Sequence, residues 1–183
     1  MALTATVYHL RVDLSDVDRG VYEALDLRVA RHPSETLRYM LLRTLAYCLL
    51  YAEGIAFSKG LFVTDEPAVW IRQGDGRVDL WVDIGRPAIE RLHKASKLAG
   101  RVAVFTHDDP EMLRAAARGA KLHRGHDIEV SAVDTGLLDA LEAKIDRNMS
   151  LTLVHNDGQL YVTVGDRTME GAITRRPLVD RED

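Results

Sequence analysis

The chain has 183 residues, of which 46% are hydrophobic and 28% charged, with a formal net charge of −4 and a single cysteine, Cys48. This is the composition of a globular protein with enough apolar matter for one domain spanning residues 1–183, and it excludes an internal disulfide and a general coat of positive charge, though not a local basic groove. The sequence opens on no basic-then-apolar leader pattern and has no apolar run of the ~20 residues that cross a bilayer, so a cytoplasmic protein without a membrane partner is expected.

Leu3 to Val12 alternates as a strand, the turn residues of Leu14–Gly20 reverse it, and Val21 to Ala30 returns. Such an opening hairpin belongs at a sheet edge. A helix is expected to start within Arg31-His32-Pro33-Ser34-Glu35-Thr36, with Pro33 at its first position and Glu35 in the first turn, where the positive end of the helix dipole favours a carboxylate. Two apolar stripes follow, one through Leu37, Met40, Leu41, Leu45 and Cys48 and one through Tyr39, Leu42, Ala46 and Leu50. That helix is therefore covered on two sides, and it ends at Glu53-Gly54-Ile55.

A looser stretch through Gly60 leads to Asp65-Glu66-Pro67 and a short strand, Ala68 to Arg72. The glycine-bearing turn Gln73–Arg77 reverses it into the strand that begins at Val78. Val78, Leu80, Val82 and Ile84 share one face of that strand; Asp79, Trp81, Asp83 and Gly85 share the other. With Val78 opposite Arg72, counting outward sets Asp83 opposite Pro67 and Gly85 opposite Asp65, which makes Asp65 and Asp83 diagonal neighbours about 7–8 Å apart, within reach of a shared cation. Asp79 and Asp83 are about 13 Å apart along the strand, so Asp79 needs a bulge to join them.

Pro87 opens a helix through Leu98, with Lys94 and Lys97 on one face and Gly100 as its stop. A strand over Arg101–Thr106, a helix from His107-Asp108-Asp109-Pro110 through Ala120, a strand over Asp127–Val133 and a helix over Thr135–Lys144 follow. Ser150–His155 and Gln159–Val164 flank Asn156-Asp157-Gly158 as a hairpin, a third strand lies near Met169–Thr174, and 175–183 reads as a frayed tail. The expected class is mixed α/β: a central mixed sheet, partly parallel through crossover units, flanked by helices, with hairpins at both ends.

Taken together, Arg31-His32-Pro33-Ser34-Glu35-Thr36, Asp65-Glu66-Pro67 with Trp70, Asp79-Leu80-Trp81-Val82-Asp83-Ile84-Gly85-Arg86-Pro87, and Arg91 with Lys94-Ala95 resemble the YaeQ family of bacterial proteins, from Met1 to about Val164. The resemblance implies a variant of the PD-(D/E)XK nuclease fold, in which a helical glutamate, a strand aspartate and an acid-X-lysine hold a divalent metal. Carried over, Glu35 is the helical acid, Asp83 the strand acid and Asp65 the hairpin aspartate, with Glu66 and Asp79 as fallbacks. Gly85 stands where the pattern has lysine, so the lysine role passes to Lys94.

Hard carboxylate oxygens suit Mg²⁺ or Mn²⁺, which would polarise a scissile phosphate, with Lys94 orienting the attacking water. The implied activity is a metal-dependent phosphodiesterase acting on nucleic acid. The partners this raises are a nucleic acid as substrate or a protein, and the alternative function is a non-catalytic relative that keeps the fold as a binding or regulatory module. Each residue also has a structural reading: Glu35 as a helix-dipole carboxylate, Asp65 as a turn residue, Asp83 paired with Arg91 or Arg101, Lys94 as a solvated helix lysine, and Trp70 and Trp81 as core aromatics. His123 and His126 lack nearby acid or cysteine ligands and are read as surface.

Overall fold

The computed structural model describes residues 4–59 and 64–181. The expected strand start at Leu3 and the end of the loose stretch at Gly60 lie outside them. The chain divides into two compact units, Met1–Tyr51 with Val133–Ile173, and Ala52–Ala132 with Thr174–Asp183.

In the first unit β1 (Thr6–Asp16) pairs antiparallel with β2 (Val21–Arg31), which lies at the edge as expected. Both strands run longer than the sequence indicated, because Leu14 and Asp16 continue the alternation that buries Leu10 and Val12. On its other side β1 pairs parallel with β8 (Asn148–Asn156), which continues antiparallel into β9 (Gln159–Val164) and then β10 (Arg167–Pro177). Asp157 and Gly158 join β8 to β9 with φ of 49° and 70°. Two consecutive left-handed residues make the tight hairpin turn whose twist matches the strands, and this is what Asp-Gly encodes.

Helices α1 (Leu37–Leu49) and α4 (Thr135–Glu142) complete this unit. The start of α1 differs from the expectation. Thr36, not Pro33, is the residue before the first turn; its side chain accepts the Tyr39 backbone N–H at 3.1 Å, while Pro33 and Ser34 form a turn outside the helix. Leu41, Leu45 and Cys48 of α1 and Leu141 of α4 cover Leu10, Val12, Leu153 and Val162 of the sheet around a void of about 30 Å³. Arg38 binds Glu142 at 2.7 Å and also Asp139, tying α1 to α4.

The same unit contains a close approach that only glycine permits. A Cβ on Gly171 of β10 would stand 2.7 Å from Leu137 Cβ and 2.9 Å from Asp134 Cβ, at the N-terminus of α4. These atoms sit next to backbone and cannot swing away. Gly171→Ala is expected to cost about 1–3 kcal/mol by overpacking, read as a lower denaturant midpoint with an unchanged m-value.

The second unit is built on β5 (Val78–Ile84), β6 (Ala99–Thr106) and β7 (Glu129–Val133), three parallel strands joined through α2 (Ile89–Leu98) and α3 (Pro110–Ala117). β4 (Val69–Arg72) and β3 (Ile55–Phe57), the latter within the stretch read as loose, extend the sheet antiparallel to the edge. Gly100 does not stop α2 from within a loop; the helix ends at Leu98 and Gly100 already lies in β6, where a Cβ would come within 3.2 Å of the Asp79 carbonyl.

Trp81, Leu92, Val104, Leu113, Ile128 and Val130 form the core on the face covered by α2. β10 continues to Pro177, and Leu178 is buried in this core with its N–H donated to the Ile128 carbonyl at 2.8 Å, so the chain is held in place through residue 178 and not frayed from 175. Among the described residues there are ten strands and four α-helices, and no helix is long and apolar enough to cross a membrane.

Candidate functional site

Asp83 stands on β5, on the same face as Trp81, and is buried. α2 crosses that face, so Arg91, in its first turns, extends over the Trp81 ring with the guanidinium carbon 5.3 Å from the ring centre. Arg91 Nε donates to Asp83 Oδ2 and Nη2 to Asp83 Oδ1, both at 2.8 Å. Nη2 also donates to the Glu66 carbonyl at 2.8 Å, and Nη1 donates to the Thr64 carbonyl. The arginine thus holds the aspartate with a planar two-pronged fork and clamps the backbone of residues 64–66 beside it.

The register expected across the β4–β5 hairpin holds only at its first pair, Arg72 with Val78. A bulge then leaves Asp79 as the extra residue, so Ile71 faces Leu80 and Val69 faces Val82. β4 also begins at Val69, with Ala68 N–H bonded to the Val82 carbonyl at 2.9 Å. Asp65 therefore lies in an exposed turn and not on the ladder, and the count that made it a same-face neighbour of Asp83 does not apply. One slipped residue exchanges the two faces of a strand.

The bulge turns Asp79 toward Arg77 Nε at 3.1 Å and the Gln73 side-chain amide. The Gln73 hydrogen bond, followed by that from Arg77, holds the Asp79 carboxyl below the usual range. Glu66 accepts the Lys59 backbone N–H at 3.3 Å. Lys94 is exposed on α2. Gly85 has a φ of +85° and open space where a Cβ would stand, so the position is glycine for its backbone and not for crowding.

Glu35 belongs to the other unit. It is buried just ahead of α1, and Arg43, two turns into that helix, answers it: Nε donates to Oε1 and Nη2 to Oε2, each at 3.1 Å. The His32 backbone N–H donates to Oε2 at 3.2 Å, and Arg43 Nη2 also reaches the Ala30 carbonyl at 3.0 Å. Sequence reasoning named Arg91 as a partner for Asp83 but missed Arg43. Eight residues separate it from Glu35, and no short-range spacing rule links an acid outside a helix to a base two turns inside it.

A magnesium-like ion would need the lone pairs that these two arginines already engage, so the acids as arranged do not fit such an ion. Among the described residues no three histidine, cysteine, aspartate or glutamate side chains come together as a metal-holding group. Nor is Cys48 a nucleophile, since burial pushes its thiol up to about 12. A further cluster went unread: buried His155 at the end of β8 meets buried Asp16 of β1 at 2.8 Å through Nδ1 and the exposed Asp18 at 3.3 Å through Nε2. Asp18 in turn accepts the Asp157 N–H at 2.7 Å, so the cluster ties the first hairpin to the Asp-Gly turn.

The family profile described as YaeQ protein matches residues 1–173. The curated protein "Uncharacterized protein YaeQ" of Escherichia coli (strain K12) is 34% identical over 179 residues, covering 95% of this chain and 97% of its own length. The protein of that name in Salmonella typhi is similar to the same extent, 34% over 179 residues. Among solved structures, the YaeQ protein from Xanthomonas axonopodis pv. citri matches with a TM-score of 0.85 at 31% identity, covering 94% of this chain and 98% of that one. The YaeQ protein from Pseudomonas syringae matches with a TM-score of 0.82 at 31% identity, covering 93% and 95%. The mixed α/β architecture is common to both.

Proposed function

The chain belongs to the YaeQ family, and within it we propose that this protein is a non-catalytic, nuclease-like module that binds a partner instead of cleaving one. The observation that carries this reading is the two-pronged arginine on each of the two buried acids that the resemblance assigns to a metal, Arg91 on Asp83 and Arg43 on Glu35. In a metal-dependent phosphodiesterase those carboxylates must offer lone pairs to the ion, whereas here they serve as anchors for α2 and α1. The nuclease-like ancestry is part of the proposal, supported by an antiparallel hairpin, β4–β5, that passes through a helix to the parallel strand β6. One buried cysteine agrees with work in the reducing cytoplasm.

The test is a cleavage assay on single- and double-stranded DNA and RNA with Mg²⁺ or Mn²⁺, alongside calorimetric titration of each ion. The expected result is no cleavage and no site-specific heat, with wild type and Asp83→Asn alike. Metal-dependent cleavage that Asp83→Asn abolishes, in a variant whose circular dichroism is unchanged, overturns the reading in favour of the phosphodiesterase.

A further inference from the structure

The loop of residues 118–126 contains Arg118, Lys121, His123, Arg124 and His126 and no acid, and α2 from His93 onward contains His93, Lys94 and Lys97 and no acid, in a chain whose net charge is −4. Arg124 docks the one against the other. Its backbone is left-handed, φ 48° and ψ 41°, a conformation rarely taken by a residue with a Cβ. Its guanidinium donates to the carbonyls of Ser96 at 2.6 Å, Ala99 at 2.8 Å and Gly100 at 3.3 Å, groups at the end of α2. The carbonyls at the negative end of the helix dipole take its hydrogen bonds and offset its charge only in part, with no ion pair to a carboxylate among the described residues.

The docked loop brings like charges together. The His123 backbone N–H donates to His93 Nδ1 at 3.2 Å, which places the neutral ring's proton on Nε2, a donor even before the ring is charged. Burial first, and then the charges of Lys97, His123 and Lys121, hold the His93 ring below its ordinary range, so these cations lie within electrostatic reach of one another. Lys94, Lys97, Lys121 and His123 are exposed, and among the described residues none of them has a carboxylate partner. Arg118 and His126 of the same loop do face acids, Glu111 and Asp127, as Arg38, Arg43, Arg77, Arg91 and Arg114 do elsewhere, so the unneutralised charge is that of the lysines, His123 and Arg124. A strained anchor that gathers unneutralised cations on a surface lacks only the anion that relieves their repulsion.

From this juxtaposition we infer that the end of α2 and the loop of residues 118–126 form a binding surface for the phosphodiester backbone of a nucleic acid, Lys97 and Lys121 contacting phosphates and His93 donating through Nε2. The inference rests on the reading of the protein as a binding module and names its partner. The cations stand on an exposed helix face and a loop, which suits a strand of repeated phosphates laid across them, and such contacts are independent of base sequence.

The experiment is fluorescence anisotropy of a labelled DNA duplex in EDTA, at salt from about 50 to 200 mM, with the full chain and with Lys97→Ala combined with Lys121→Ala. With Lys97 and Lys121 each neutralising one phosphate, the slope of log affinity against log salt is about −1.8, and removing both contacts brings it to about zero. The variant is expected to bind at least about tenfold more weakly at the lowest salt, with unchanged thermal unfolding. The His93 ring protons, followed by NMR, are expected to titrate at higher pH once DNA is added. No binding at low salt, binding equal in wild type and variant, or binding to phosphatidylserine vesicles but not to DNA each overturns the inference. EDTA removes any metal-dependent step, so failure here leaves the cleavage assay, and the reading it judges, untouched.

Discussion

Arg43→Ala is expected to lower the unfolding free energy by about 3–5 kcal/mol, the larger of two effects that follow from the arginine–carboxylate pairs. Both partners are buried, with side chains 7% and 2% exposed, so the substitution leaves the Glu35 carboxylate desolvated with no counter-charge. The Ala30 carbonyl loses its Arg43 donor as well. The direction reverses when both charges go: Glu35→Gln with Arg43→Met is expected to recover most of the loss, since replacing a whole buried pair by groups of similar volume is often neutral. For a chain of this size the single variant melts about 10 °C lower, and differential scanning calorimetry of the two single variants and the double closes the cycle. Equal losses in the double and the singles would show that shape, not charge, is what Arg43 supplies.

Arg91→Ala is expected to cost about 2–4 kcal/mol. Asp83 is 5% exposed but Arg91 is 31% exposed, so water compensates part of the loss, and the figure falls below that for Arg43. Three groups lose donors at once: the Asp83 carboxylate and the carbonyls of Thr64 and Glu66. The consequence is local before it is global. Hydrogen exchange should accelerate around residues 64–68 and the start of α2 before the rest of the second unit responds. Arg91→Lys is expected to recover only a minor part, because an ammonium offers a point charge where the site takes a fork aligned over the Trp81 ring. A lysine variant as stable as wild type would remove the geometric part of this argument.

Both pairs bear on how the sequence is read. Asp83 and Glu35 are two of the three acids that the resemblance assigns to a metal, and both are buried. A buried carboxylate needs a partner, and either a cation or an arginine satisfies it. The residue types at these positions are the same in the two cases. Which of the two answers applies depends on whether an arginine on a neighbouring helix reaches the carboxylate, and Arg43 and Arg91 both do.

The sequence by itself determined the order and kind of nearly every element, because periods of 2 and 3.6 in the apolar residues are local facts. Thus β5 and β9 stand over the residues their alternation marked, and the Asp157-Gly158 turn follows from the backbone freedom of those two residues. The family, too, was legible in the runs about Glu35 and Asp83. Only the tertiary structure decided the rest. It set the start of α1 at Leu37, because the Thr36 hydroxyl and not Pro33 takes up a free amide, and it made a strand of the short Ile55–Phe57 segment through pairing with β4. It placed the bulge at Asp79, which shifts every later pair of the hairpin by one, and it matched Glu35 with Arg43 of α1 and Asp83 with Arg91 of α2. Local patterning records which side of an element meets the core; it carries no information about which side chain on a second element arrives to meet a charge there.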